Sequence, residues 1–235
     1  MSEHVLAIDQ GTTGTTAMVV NDRIEVVASV NVEFPNHYPK PGHVEHDPEQ
    51  IWESIASCVT AALKQAGIDG SQLRAIGVTN QRETSLFWDR RTGEAIHRAL
   101  VWQDRRTADR CAQLKADGHE ALFRNRTGLV LDPYFSGTKA AWLLDNVDGA
   151  RARAEAGDLC FGTIDTYVTW RLTGAHVTDP SNASRTLMYD LHRGQWDEEL
   201  LAILKVPAAA LPRVGESSEV FGHTKDVGFL PDGIP

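Results

Sequence analysis

Residues 5–16 read VLAIDQGTTGTT: an apolar stretch, an aspartate, then two glycines and four threonines. Glycine lets a backbone turn tightly and approach a ligand, while threonine adds a hydroxyl donor. Together they suit an anion, most often a phosphate, with Asp9 beside it to help place a metal ion. A second cluster, TNQRET at residues 79–84, sets Arg82 next to Glu83. A charged donor fork beside a charged acceptor grips hydroxyl groups, which both give and accept hydrogen bonds. The plainer reading of such a neighbouring pair is a surface salt bridge. Trp102 in LVWQDRRT, and Tyr134 and Phe135 in GLVLDPYFSGTK, are aromatics among polar residues. Such rings can wall a small polar ligand, giving its carbon skeleton a flat face while a phenol takes one hydroxyl. Each ring alone also fits ordinary packing.

The glycine–threonine segment can be set against the known phosphate loops. A Walker loop needs a lysine after its second glycine, and the first lysine here is Lys40. A dinucleotide fingerprint needs its glycines to open a helix, whereas Ala17 to Val20 reads as a strand returning beside the first. A third option is the hairpin phosphate loop of actin- and hexokinase-type ATPases, with the acid at the end of the first strand. A β-hairpin with a merely polar turn fits the pattern as well. In GHVEHD, the residues His43, Glu45, His46 and Asp47 raise a metal site, but Asp47 reads as a helix cap and the spacing is not that of zinc enzymes. No metal ligands are assigned. No Ser–His–Asp or Cys–His nucleophile can be argued from the spacing.

These residues have to be positioned by alternating strands and helices. A third strand is expected over EVVASVNVEF, antiparallel to the second, and a short buried strand over LRAIGVTN. TSLFWDRRTGEAI reads as a hairpin turning at Thr92-Gly93. A helix after Asp47 carries Pro48 at its first position and Gln50 in a capping pattern. Ile51, Ile55, Val59 and Leu63 form its stripe, and Gly67 ends it. Further helices are expected over residues 105–115, 119–125, 136–144, 165–172 (closed by Gly174) and 197–204 (capped by Asp197), with a strand over DLCFG. The last residues, GHTKDVGFLPDGIP, show neither strand nor helix to hold them.

At 235 residues the chain suits one large domain or two small ones. With 42% hydrophobic and 23% charged residues it buries a core, and a formal net charge of -9 argues against nucleic acid or an anionic membrane as partner. No stretch reaches the apolar length of a membrane span, and MSEHVLAI is not a signal peptide, so a cytoplasmic protein is expected. Three dispersed cysteines, Cys58, Cys111 and Cys160, are expected as buried thiols.

In order along the chain, AIDQGTT, YPKPGHVEHDP, IGVTNQRET, VWQDRRT, TGLVLDPYFSGTKAAWLLD, FGTIDTYVTWRLTG and TDPSNASRT resemble the glycerol kinases of the FGGY family of carbohydrate kinases. The resemblance implies a ribonuclease H-like, actin-like α/β domain with a mixed sheet flanked by helices. It also implies transfer of a phosphoryl group from ATP, with Mg2+, to a terminal hydroxyl of glycerol, leaving ADP. Carried over by motif, Arg82, Glu83 and Tyr134 would hold glycerol hydroxyls and Trp102 its carbon face. Thr12, Thr13 and Gly14 would line the phosphates, and Asp9 would help position magnesium. Relatives commonly read DQGTTSSR, with a phosphate-contacting arginine where this chain has Thr16. They also carry a second domain that holds the adenosine, and a catalytic aspartate in a GDQQ motif that does not occur here. The expectation is therefore that residues 1–235 form the N-terminal domain of a protein whose full-length relatives are homo-oligomers, and that this domain is inactive by itself. A kinase for another polyol or sugar, such as xylulose, and a truncated non-catalytic paralogue are the alternatives.

Overall fold

The computed structural model describes residues 3–235. The chain opens with β1 (His4–Gln10), β2 (Gly14–Asn21) and β3 (Val26–Glu33), an antiparallel meander. Alternation decides which face is buried: Leu6, Ile8, Ala17 and Val19 point inward, while Asp9 on the opposite face is exposed. A two-residue strand, β4 (Glu45–His46), precedes α1 (Pro48–Ala66). The Asp47 side chain accepts from the Glu49 amide, and Gly67 closes the helix at φ 66 with its N–H on the carbonyls of Leu63 and Lys64. Ile51, Ile55, Cys58, Val59 and Ala62 lie on the buried face of α1 and seal the inward side of the sheet. The expected capping role of Gln50 is not seen; its side chain meets His37 Nε2 at 2.9 Å instead. β5 (Leu73–Asn80) then pairs parallel to β1, giving a mixed sheet in the order β3-β2-β1-β5.

The sequence reading foresees one mixed sheet, and the structure contains a second sheet of four strands. β6 (Ser85–Asp89), β7 (Ala99–Leu100) and β8 (Leu159–Thr163) join β4 in the order β4-β7-β6-β8, all antiparallel. β4 and β7 are two residues long, too short for any hydrophobic period to declare them. α2 (Ala108–Ala116), α3 (Glu120–Thr127), α4 (Ser136–Asn146) and α5 (Ala150–Glu155) surround a second core that includes Phe87, Phe123, Leu143, Phe161 and Leu200, and of these α4 and α5 lie against this sheet. α5 has no expectation in the sequence, because its buried face is only Ala150 and Ala154 in the charged run ARARAE. α6 (Ile164–Thr173) ends at Gly174, a short α7 (Pro180–Ala183) follows, and Asp197 caps α8 (Glu198–Leu204).

The final segment is indeed irregular, yet it is held. Val227, Leu230 and Ile234 enter the core beside α1, and the Ile76 amide on the outer edge of β5 donates to the Pro235 carbonyl at 2.8 Å. Apolar burial does here what no regular element does. All three cysteines are buried free thiols. Among the described residues no helix is long and apolar enough to cross a membrane.

Candidate functional site

The turn after β1 is closed by the Gly11 amide donating to the Gly14 carbonyl at 2.9 Å. Gly14 is the residue that fits: a Cβ there would stand 2.9 Å from the Val32 carbonyl of β3. Thr13 is exposed at the turn, and half-buried Thr12 accepts a bond from Trp102 Nε1 at 3.0 Å. Asp9, the penultimate residue of β1, faces solvent opposite Thr16 of β2 and Thr79 of β5, and has no ion-pair partner among the described residues.

Behind the turn lies a buried polar circuit. The Gln81 side-chain nitrogen sits 3.0 Å from both Gln10 Oε1 and the Gly11 carbonyl, and 3.2 Å from His46 Nδ1. Thr84 Oγ1 donates to Gln81 Oε1 at 2.9 Å and receives the Trp102 amide at 3.2 Å. Through Trp102 and Thr12 the circuit returns to the glycine–threonine turn. The other His46 nitrogen meets Asn36, and burial lowers its pKa to about 4, so the ring is neutral and Nδ1 can accept. The turn after β1 and the loop after β5 are thus fixed to each other by hydrogen bonds that are buried at Gln10, His46 and Thr84 and part-buried where they reach Gly11 and Thr12.

Glu83 stands at the crest of that second loop with φ 62, left-handed backbone that a non-glycine residue rarely adopts. The conformation is held from outside, since Ser136 Oγ at the start of α4 donates to the Glu83 carbonyl at 2.8 Å. It separates two neighbours: Arg82 points to solvent with no side-chain partner among the described residues, and Glu83 is 2% exposed. The surface salt bridge read from the sequence is therefore not present between them. The partner of Glu83 is Arg185, whose Nε lies 2.6 Å from Glu83 Oε1. The same guanidinium lies over the rings of Phe135 (4.9 Å) and Tyr134 (5.8 Å). Tyr134 continues to Trp102, ring centroids 5.4 Å apart.

The aromatic loop is pinned by its own backbone. The Tyr134 amide donates to Asp132 Oδ1 at 2.8 Å, and its carbonyl receives Lys139 Nζ at 3.0 Å. Lys139 is fully buried; loss of hydration lowers its pKa to about 7, against the opposing pull of Asp104 and Glu83.

Of the residues expected from the sequence, Glu83, Tyr134, Trp102 and Thr12 form one continuous train of contacts, closed by Arg185. Arg82, Thr13 and Asp9 are solvent-facing and make no side-chain bond to that train, and Gly14 lies one turn beyond Thr12. Arg185 was missed. It was visible only as the single cation in TDPSNASRT, with nothing local to say where it points. In the GHVEHD segment, Glu45 pairs with Arg106 at 2.7 Å, His46 belongs to the circuit and Asp47 caps α1. Among the described residues no group of three or more His, Cys, Asp or Glu is placed to share a metal ion. A cavity of about 330 Å3 beside β5, lined in part by Ile76, Val78, Leu172 and Val220, includes none of the expected residues.

The sequence profile of the FGGY family of carbohydrate kinases, N-terminal domain, matches residues 4–235. Over 226 residues the chain is 58% identical to a glycerol kinase of Methylobacterium nodulans, which covers 95% of this chain and 45% of the relative. Over 232 residues it is 59% identical to a glycerol kinase of Rhodopseudomonas palustris, 98% of this chain and 46% of the relative. Among solved structures, the Plasmodium falciparum glycerol kinase with ADP superposes with a TM-score of 0.93 at 30% identity, over 99% of this chain and 47% of that one. A ligand-bound xylulose kinase of Lactobacillus acidophilus gives 0.87 at 26% identity, over 97% of this chain and 44% of that one. The chain spans about half the length of the curated relatives it matches.

Proposed function

This chain belongs to the FGGY family of carbohydrate kinases and has their actin-like α/β fold, and from that premise we propose that it forms the glycerol- and phosphate-contacting half of an ATP-dependent glycerol kinase. The reaction is transfer of the terminal phosphoryl group of ATP to a primary hydroxyl, giving sn-glycerol 3-phosphate and ADP. The observation that supports it most is the train from Glu83 through Arg185, Tyr134 and Trp102 to Thr12, which ties hydroxyl-reading groups to the glycine–threonine turn.

In this reading Glu83 accepts from a glycerol hydroxyl, Arg82 and the Tyr134 phenol complete the hydroxyl contacts, and Trp102 lies along the carbon face. Thr12, Thr13 and the tight turn at Gly14 give donors to the phosphates. Phosphoryl transfer is chiefly positioning and charge stabilisation, so a rigid link between the two halves of the site is what the chemistry asks of the protein. Asp9, a solvent-facing carboxylate without an ion-pair partner among the described residues, fits a magnesium ion, which takes one or two carboxylates and otherwise phosphate oxygens and water. Such an ion would supply charge neutralisation on the phosphates. Arg82, Thr13 and Asp9 face solvent, so in the 235-residue chain alone a glycerol held beside them keeps water on one side, which implies millimolar-scale affinity.

Ligand-observed NMR on the chain, with glycerol, xylulose and gluconate in parallel, tests the assignment. Saturation transfer to glycerol, and little to the two sugars, is expected. Preferential binding of xylulose or gluconate would replace glycerol with that sugar as the substrate.

A further inference from the structure

A carboxylate that reads hydroxyl groups has to be aimed, and nothing in the local sequence aims Glu83. Its backbone is in left-handed conformation at φ 62, a state that persists only where surroundings impose it. One restraint is the Ser136 hydroxyl on its carbonyl. The side chain has a different partner: Arg185, 102 positions along the chain, delivers Nε to Oε1 at 2.6 Å, and among the described residues no protein group hydrogen-bonds Oε2. Charge-assisted bonds of this length are directional, and the planar guanidinium transmits the orientation of whatever fixes its own plane. Here that plane is fixed by aromatic faces, with the guanidinium carbon 4.9 Å from the centre of Phe135 and 5.8 Å from that of Tyr134. The terminal amino groups of Arg185 have no protein acceptor among the described residues, and its side chain is 26% exposed. Among the described residues its side-chain hydrogen bond is to Glu83, and its guanidinium lies over the ring pair.

We propose that Arg185 is the positioning residue of the polyol site: it holds Glu83 Oε1 so that Oε2 is presented to a substrate hydroxyl, and it locks the Tyr134 ring beside that oxygen. The inference rests on the glycerol reading above. It assigns Arg185 to substrate discrimination, because a fixed acceptor distinguishes a hydroxyl from the hydrogen of a deoxy analogue whereas a free one does not.

The chain itself serves for the test, with dissociation constants for glycerol and for propane-1,2-diol measured by ligand-observed NMR, and amide spectra recorded on the same samples. In Arg185→Met the glycerol constant should rise at least fivefold, and the preference for glycerol over the diol should collapse towards unity. Amide shifts outside residues 82–84, 132–136 and 182–187 should stay in place. Arg185→Lys, which keeps the charge but not the planar fork, should recover part of the affinity and little of the preference. Binding within twofold of the unsubstituted chain in the Met variant, or an unchanged glycerol preference in it, overturns the assignment of Arg185 alone. Amide shifts spread over the whole of the Met spectrum would make Arg185 a general structural residue and likewise overturn it, unless the Lys variant keeps the native spectrum and still loses the preference. No glycerol binding by the unsubstituted chain overturns the glycerol reading and this inference with it.

Discussion

Replacing Glu83 by alanine should remove measurable glycerol binding from the chain, the largest loss expected of any single substitution at the site. The carboxylate is 2% exposed and its charge is matched by one guanidinium. Alanine takes away the acceptor offered to glycerol and also leaves Arg185 half-buried without its partner, free to swing into the space meant for the ligand. A hydrogen bond to a charged group is worth about 1.5–3 kcal/mol, so the affinity should fall by about one to two orders of magnitude. From a millimolar starting point that is loss of detectable saturation transfer. Glu83→Gln preserves volume and one acceptor oxygen but not the charge on Arg185, and should lie between the two. Glycerol affinity in Glu83→Ala equal to that of the parent would remove Glu83 from the substrate contacts.

Lys139→Met should change the pH dependence of stability, and by more than its single hydrogen bond suggests. Folded Lys139 titrates near pH 7 because burial strips its hydration, while in the unfolded chain it titrates near the ordinary 10.5. Between those values the unfolded chain carries a proton that the folded chain does not, so this residue makes stability rise with pH across the window. Below about pH 7 the buried ammonium is present and its full cost is felt. The shift corresponds to on the order of 3–5 kcal/mol between the two ends. Methionine removes that dependence and leaves the Tyr134 carbonyl without its donor, at about 1–3 kcal/mol. Denaturant midpoints should therefore favour the Met variant near pH 6 and move towards the parent by pH 10. Comparing the two proteins cancels the cysteines and tyrosines that titrate in both. A difference that stays constant from pH 6 to pH 10 would show that Lys139 does not titrate within the fold as stated.

How far the sequence could be read depends on the range of the forces involved. α1 was legible because its cap, its four-residue stripe and its terminal glycine are all written within about twenty consecutive positions. The opening hairpin and β5 were legible for the same reason. The second sheet was not, since two-residue β4 and β7 carry no pattern of their own: β4 finds β7 across more than fifty residues, and β7 meets β6 only at Ser85 and Leu100. The same holds within the site. Thr12, Glu83, Trp102 and Tyr134 stand out by type and neighbourhood, but a glutamate in a polar run reads as exposed. Its burial follows from φ 62 at its own backbone and from an arginine 102 positions away, and both are tertiary facts. Gln50 shows the opposite case, a local rule overridden by a nearby histidine.

If these residues form the acceptor and phosphate side of a glycerol kinase, phosphoryl transfer itself is the direct test. Residues 1–235 can be joined to the C-terminal portion of the Methylobacterium nodulans glycerol kinase, their 58% identical relative over 226 residues, and assayed for ADP release with ATP and magnesium. The prediction is release that depends on glycerol, is not supported by xylulose or gluconate, and disappears when the hybrid carries Glu83→Ala. A hybrid that folds and binds ATP yet releases ADP only with another sugar, or keeps its glycerol-dependent rate after Glu83→Ala, would contradict it.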